Sequence, residues 1–260
     1  MTAQIFDSHA HYDDKKFDHD RDQLLARLPE DGVCGVVNCG SDLHSSAVSA
    51  EMAARYGYIW AAVGVHPHDA SKWDARSPDA LEKLAAKPKV VAIGEIGLDY
   101  HYDFSPRDKQ KEALLAQLQL AKELNLPVIL HDREAHGDMY DILRKFAPLK
   151  GVMHCFSGSA ELARESVSMG MHIGLGGAVT FKNAKTPLEV AAAIPLDRLL
   201  LETDAPYMAP VPHRSERCDS RMIPLAAAKI AELRGLTPEE ILITARENAE
   251  RLFCILSPYM

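Results

Sequence analysis

His9 and His11 stand two residues apart in Asp7-Ser8-His9-Ala10-His11, and Glu95, His131, His154 and Asp204 recur at long intervals down the chain. Each of these six closes or directly follows a short apolar run. Imidazole nitrogens and carboxylate oxygens together bind divalent zinc, manganese, iron or nickel, and magnesium favours a carboxylate-rich half-site. Six donors exceed the four that a structural zinc takes. The surplus fits two divalent ions (Mg, Mn or Zn) sharing Glu95 and a bridging water. Any one of these histidines alone reads as readily as a hydrogen-bonded core residue. Six at strand ends are poorly explained that way.

The elements that must position them alternate from end to end. Strands are expected at Ile5–Asp7, Gly35–Cys39, Trp60–Val65, Val90–Ile93, Val128–Leu130, Gly151–His154, His172–Leu175 and Leu199–Leu201. Several are almost wholly apolar, as strands covered on both faces are. Between them lie amphipathic stretches. The clearest runs from Pro106 to Asn125, with Leu114, Leu115, Leu118, Ala121 and Leu124 at helical steps. Further helices are expected from Ser159 to Gly170, over Met222–Arg234 and over Pro238–Phe253, the last opened by Thr237-Pro238-Glu239-Glu240. An α/β chain of 260 residues with eight such units fits a (β/α)8 TIM-type barrel, whose strand ends meet at one mouth. An open doubly wound sheet would usually carry a glycine-rich turn after its first strand, and His-Ala-His occupies that place here. No linker or repeat divides the sequence, so one domain over residues 1–260 is expected.

The net charge of -8 argues against bulk attraction to nucleic acid, although bound cations reverse the sign locally. Five cysteines, irregularly spaced and without CxxC, suit reduced thiols. The first residues show no basic segment followed by an apolar one, and no run approaches a membrane span. A cytoplasmic protein with no membrane partner is expected.

With these blocks assembled, the sequence resembles the TatD family of metal-dependent deoxyribonucleases, within the amidohydrolase superfamily. The likeness rests on Asp7-Ser8-His9-Ala10-His11, Gly64-Val65-His66-Pro67-His68, Gly94-Glu95-Ile96-Gly97-Leu98-Asp99-Tyr100, Leu126 to Glu134, His154-Cys155-Phe156-Ser157-Gly158, Glu202-Thr203-Asp204-Ala205-Pro206-Tyr207 and Pro212-His213-Arg214. The resemblance implies a barrel with two divalent cations on His9, His11, Glu95, His131, His154 and Asp204. It also implies phosphodiester hydrolysis, as a 3′→5′ exodeoxyribonuclease on single-stranded DNA or another nucleic-acid substrate. The alternative is a metal-dependent ester or amide hydrolase such as a D-aminoacyl-tRNA deacylase. One stretch departs from the family pattern, Arg217-Cys218-Asp219-Ser220-Arg221-Met222, where relatives commonly carry an Asn-Glu-Pro-like turn.

Roles follow for the remaining candidates. A metal-activated bridging water attacks phosphorus, with Glu95 holding the ions and Asp204 orienting the water and taking its proton. His66, after the third strand, can hydrogen-bond a phosphate or the leaving oxygen. Arg133 can meet a phosphate with its fork. Lys182, His213 and Arg214, with Arg217 and Arg221, would form a cationic rim, or else a solvated charge run. Tyr100, Tyr102, Phe104 and Tyr207 would stack bases or pack beneath loops. Cys155, beside His154, faces the other way and reads as structural.

Overall fold

The structure, a computed structural model, describes residues 5–255. Eight parallel strands pair in sequence order: β1 (Ile5–Ala10), β2 (Val33–Cys39), β3 (Ile59–Val63), β4 (Val90–Asp99), β5 (Val128–Arg133), β6 (Gly151–Met153), β7 (Met171–Leu175) and β8 (Leu199–Leu201). Around them lie α1 (Arg21–Arg27), α2 (Leu43–Arg55), α3 (Ser77–Ala85), α4 (Arg107–Leu124), α5 (His136–Phe146), α6 (Ala160–Ser168), α7 (Lys185–Ala193), α8 (Ile223–Arg234) and α9 (Pro238–Leu252). This is the (β/α)8 TIM-type barrel. Among the described residues no helix is long and apolar enough to cross a membrane.

The sequence of each strand explains its place. Neighbouring residues point to opposite faces, and the buried side chains divide accordingly. Val36, Ala61, Ile93, Leu130, Met153 and Leu201 join the shell between barrel and helices. Val37, Ala62, Ala92, Ile129, Val152 and Leu200 form a separate cluster that fills the barrel. Leu252, Phe253 and Ile255 belong to that inner cluster, so the segment from the end of α9 plugs one end. The polar strand ends are left to the other end, where barrel enzymes hold their chemistry.

Closure between the first strand and the last is made mainly beyond the regular ladder. Ser8 Oγ donates to the Leu201 carbonyl at 3.0 Å, Asp204 N–H to the His9 carbonyl at 3.0 Å, and His11 N–H to the Ala205 carbonyl at 2.7 Å. The chain after β8 is therefore held against β1, which brings Asp204 beside His9.

Strand bounds differ from expectation where it matters for the site. β4 continues to Asp99, so Glu95 lies within a strand and not after one. The β4–β5 register shifts between Ile93 and Ile96 and then resumes with Gly97 opposite His131. An irregularity of this kind re-aims a side chain, and Glu95 sits inside it. Gly97 adopts φ +154°, and a Cβ there would collide with the His131 carbonyl. β5 likewise runs past His131 to Arg133, whereas β3 ends at Val63 and β6 one residue before His154.

α4 fixes the next two loops through residues that its apolar pattern does not reveal. Gln110 and Gln117 are seven apart, two turns along one face, and both are buried. Gln110 accepts from Asp99 N–H at 2.8 Å and donates to its carbonyl at 3.1 Å. Gln117 does the same for Val65, at 2.7 and 3.1 Å. The ends of β3 and β4 are thus clamped to one helix.

Candidate metal centre

Glu95 is 3% exposed, and imidazole nitrogens surround it. Its two oxygens divide them. Oε2 lies 3.3 Å from His9 Nε2 and 3.3 Å from His11 Nε2. Oε1 lies 3.0 Å from His131 Nδ1, 2.9 Å from His154 Nε2 and 3.4 Å from His66 Nε2. Asp204 Oδ1 joins the first group, 3.8 Å from His9 Nε2 and 3.6 Å from His11 Nε2. All six expected donors are therefore brought together.

Which nitrogen of each ring is free depends on what holds the other. His11 Nδ1 lies 2.8 Å from the Cys39 carbonyl, which can only accept, so its Nε2 turns a lone pair inward. His131 Nε2 meets Asp99 Oδ2 at 3.0 Å, leaving Nδ1 free. His9 Nδ1 faces Cys39 Sγ at 3.4 Å, and that thiol is within donating distance of the Val37 carbonyl. His154 Nδ1 is 3.5 Å from Glu202 Oε1, an ion-pair approach and not a tight hydrogen bond. His66 is the exception. Its Nδ1 accepts from His68 N–H at 3.2 Å, so the neutral ring carries its proton on Nε2, facing Glu95. The bonds to Cys39 and Asp99 fix inward lone pairs on His11 and His131, His66 presents a donor, and His9 and His154 turn Nε2 toward Glu95.

The electrostatics agree. Burial would raise the Glu95 carboxyl, yet His154, His66 and His9 outweigh it and hold the group well below the usual carboxylate range. His154 is driven down by burial and pulled back further by Glu95 and Glu202, ending well above the imidazole range. His11 reaches about 9: burial lowers it, and Glu95 and Asp204 more than compensate. His66 falls to about 4, chiefly through burial. Burial lifts Asp204 to about 6 despite the pull of His154 and His11. This cluster demands positive charge, and protons compete with cations for its lone pairs.

The donor set fits divalent cations. Ligand atoms of His9, His11 and Glu95, and those of His9, His154 and Asp204, lie within 4.8 Å of one another; His66, Glu95 and His131 are as close, but His66 turns an N–H inward. Two imidazole nitrogens 3.0 Å apart on His9 and His11, against a buried carboxylate, need a proton or a metal cation between them.

Supporting residues escaped the sequence reading. Asp99 accepts from both His131 and His68, each at 3.0 Å, and those bonds hold its carboxyl far below normal against burial. Glu202 accepts from Cys155 N–H at 2.6 Å and steadies that residue at φ +42°. Its Oε2 has no hydrogen-bond partner among the described residues. Gly174 makes room for it, since a Cβ there would strike that oxygen. Ser220, in the stretch departing from the family pattern, donates to Asp7 Oδ2 at 2.7 Å and belongs to the frame. The patterns Leu98-Asp99-Tyr100 and Leu201-Glu202-Thr203 were visible signals, being acids next to apolar strand residues.

A cleft of ≈ 740 Å³ opens above Glu95. Arg133 lines it, as expected. Lys182, His213 and Arg214 do not. His213 faces Glu216 at 2.7 Å, and Arg214 donates to the Ala209 carbonyl with its guanidinium 3.7 Å from the Phe181 ring. Arg217 and Arg221 are paired with Asp20 and Asp219. The expected cationic rim does not form: nearby acids and carbonyls take up His213, Arg214, Arg217 and Arg221, and Lys182 is exposed outside the cleft lining. The cleft instead carries six carboxylates, among them Asp13, Asp14 and Asp132, and one arginine.

The sequence matches the family described as TatD related DNase over residues 6–254. It is 45% identical over 253 residues to the uncharacterized metal-dependent hydrolase YabD of Bacillus subtilis, covering 96% of this chain and 99% of that one. It is 41% identical over 259 residues to the 3′-5′ ssDNA/RNA exonuclease TatD of Cronobacter sakazakii, covering 96% and 97%. Among solved structures, the TatD homolog YjjV of Escherichia coli superposes with a TM-score of 0.91 at 34% identity, over 98% of this chain and all of that one. The geometry and the likeness converge: this chain belongs to the TatD family and is a metal-dependent hydrolase.

Proposed function

We propose that this barrel, one domain over the whole chain, is a divalent-metal-dependent phosphodiesterase that removes nucleotides from single-stranded DNA in the 3′→5′ direction. One observation carries the chemistry: the two oxygens of Glu95 face two different sets of lone pairs. The exonuclease activity for which the Cronobacter relative is named supports the substrate. His9, His11 and Asp204 would hold one divalent ion and His131 and His154 a second, with the Glu95 carboxylate between the two sets. Bound there, magnesium, manganese or zinc supplies Lewis acidity and a water of lowered pKa.

The protein's own groups do the rest. Asp204 Oδ1, 3.6 and 3.8 Å from the inner nitrogens of His11 and His9, is placed to orient a water and take its proton. His66 Nε2–H donates to an oxygen of the phosphate. Arg133 offers the cleft's one guanidinium to a second oxygen. Asp99 and Glu202 hold His131 and His154 in the orientation that frees their inner nitrogens. Lys182, His213 and Arg214 take no part.

A substrate panel tests this reading: single-stranded DNA with free and blocked 3′ ends, duplex DNA, RNA and a D-aminoacyl-tRNA, each with manganese, magnesium or zinc. Mononucleotides should appear from unblocked single-stranded DNA. Deacylation without any nucleotide release would transfer the site to the ester-hydrolase alternative.

A further inference from the structure

Tyr102 and Tyr207 line a cleft that otherwise carries mainly carboxylates and imidazoles, and Phe104 stacks on Tyr102 beside it. Tyr102 is 48% exposed, Phe104 66% and Tyr207 44%, among the most exposed large apolar side chains of the described residues. They are not packed beneath loops. Tyr102 and Phe104 lie nearly parallel, at 23° with centroids 5.2 Å apart. The edge of His68 meets Phe104 at 4.8 Å from below, and Arg133 sits 4.7 Å from the Tyr102 centroid. Tyr102 follows β4 and Tyr207 follows β8, strands half a turn apart in an eight-stranded barrel. The Tyr207 hydroxyl donates to Asp14 at 2.8 Å, and Lys16 lies 4.1 Å from its ring centroid, so the side chain is held in place. Tyr102 and Tyr207 thus line one cleft from loops that follow opposite strands of the barrel. Tyr100, by contrast, is partly buried against the core and does not line the cleft.

We propose that Tyr102 and Phe104, with Tyr207 opposite, form a stacking platform for unpaired nucleobases, with Arg133 set to take the adjoining phosphate. The proposal rests on the nucleic-acid reading above and refines it. Ring faces recognise the flat faces of bases without regard to their hydrogen-bonding edges. In a duplex those faces are already stacked and paired, so only a single strand offers them. A site whose side chains recognised phosphate alone would line its mouth with basic residues. This one has acids, rings and one arginine.

The experiment compares wild type with the double variant Tyr102→Ala/Phe104→Ala, both loaded with manganese. The substrates are an oligothymidylate and the same oligonucleotide with its last three 3′ residues abasic. Wild type should favour the base-bearing strand by about tenfold in KM, and the variant should lose most of that preference, as expected for one stacked base. Tyr102→Trp/Phe104→Trp should restore it, which a damaged fold would not. An equal preference in wild type and the alanine variant overturns the platform. Should wild type cut neither strand, the nuclease reading fails. The platform is then judged by binding of an oligonucleotide containing 2-aminopurine: quenching lost in the alanine variant supports it, and equal quenching overturns it.

Discussion

Two buried carboxylates stand near the same mouth and live in opposite surroundings. Glu95 meets imidazoles on every side and is held well below the usual carboxylate range. Asp7 meets amides and hydroxyls: His9 N–H at 3.2 Å, Thr203 N–H at 3.0 Å, Thr203 Oγ1 at 2.6 Å and Ser220 Oγ at 2.7 Å. Burial outweighs those four bonds and carries Asp7 up to about 7. Burial alone therefore does not mark a functional acid. What surrounds it does: the uncharged donors around Asp7 tie β1 to the chain after β8, whereas the lone pairs around Glu95 call for cations.

The comparison can be broken by changing each side in turn. Glu95→Gln removes the charge that both ligand groups share. It should lower kcat/KM by at least about 10³-fold, since groups acting as a unit fail together, and metal analysis should find bound ions depleted. Near-normal metal content would contradict the role of Glu95.

A third buried titratable group, held only by a backbone bond at Gly151, sharpens the point. His172, at the opposite end of the barrel, is buried, its Nδ1 meets no partner among the described residues, and burial lowers it to about 4. An unfolded histidine titrates near 6.5. The neutral ring therefore contributes stability that is fully present above pH 6.5 and is lost as pH falls toward 4, about 3 kcal/mol in all. Denaturant melts across that window should show the loss in wild type and a flatter profile in His172→Gln. Equal profiles would remove His172 from the acid sensitivity.

Supporting acids come next in size. Asp99→Asn leaves a neutral partner on His131 and should weaken metal affinity about 10- to 100-fold, the usual loss for such outer partners. Titration of apo protein with manganese measures it, and unchanged affinity would make Asp99 a loop residue only. The smallest effect belongs to Asp7→Asn. Its hydrogen bonds are partly replaced, so stability should fall by about 1–2 kcal/mol with metal content intact. Loss of metal without loss of stability would erase the contrast with Glu95.

Much of this was legible in one dimension. Eight apolar runs located eight strands, and the donors at their ends identified the cluster, because a parallel barrel gathers its strand ends. The frame behind the donors was not legible. The partner that frees His11 is a carbonyl on β2, that of His131 an acid on β4, and that of His154 an acid beyond β8. Their pairing exists only after closure. The same limit misled the reading of the basic loop residues. Arg217 looks available in the sequence, and only the fold reveals that Asp20, almost two hundred residues earlier, holds it through both carboxylate oxygens.

The most direct test is anomalous diffraction from crystals of protein purified without chelator and supplied with manganese or zinc. Two peaks about 3.5–4 Å apart should flank Glu95, the spacing of two-metal sites. One should be ligated by His9, His11 and Asp204 and the other by His131 and His154, with His66 bound to neither. A single peak away from Glu95, or direct ligation by His66 in place of His154, would contradict the account.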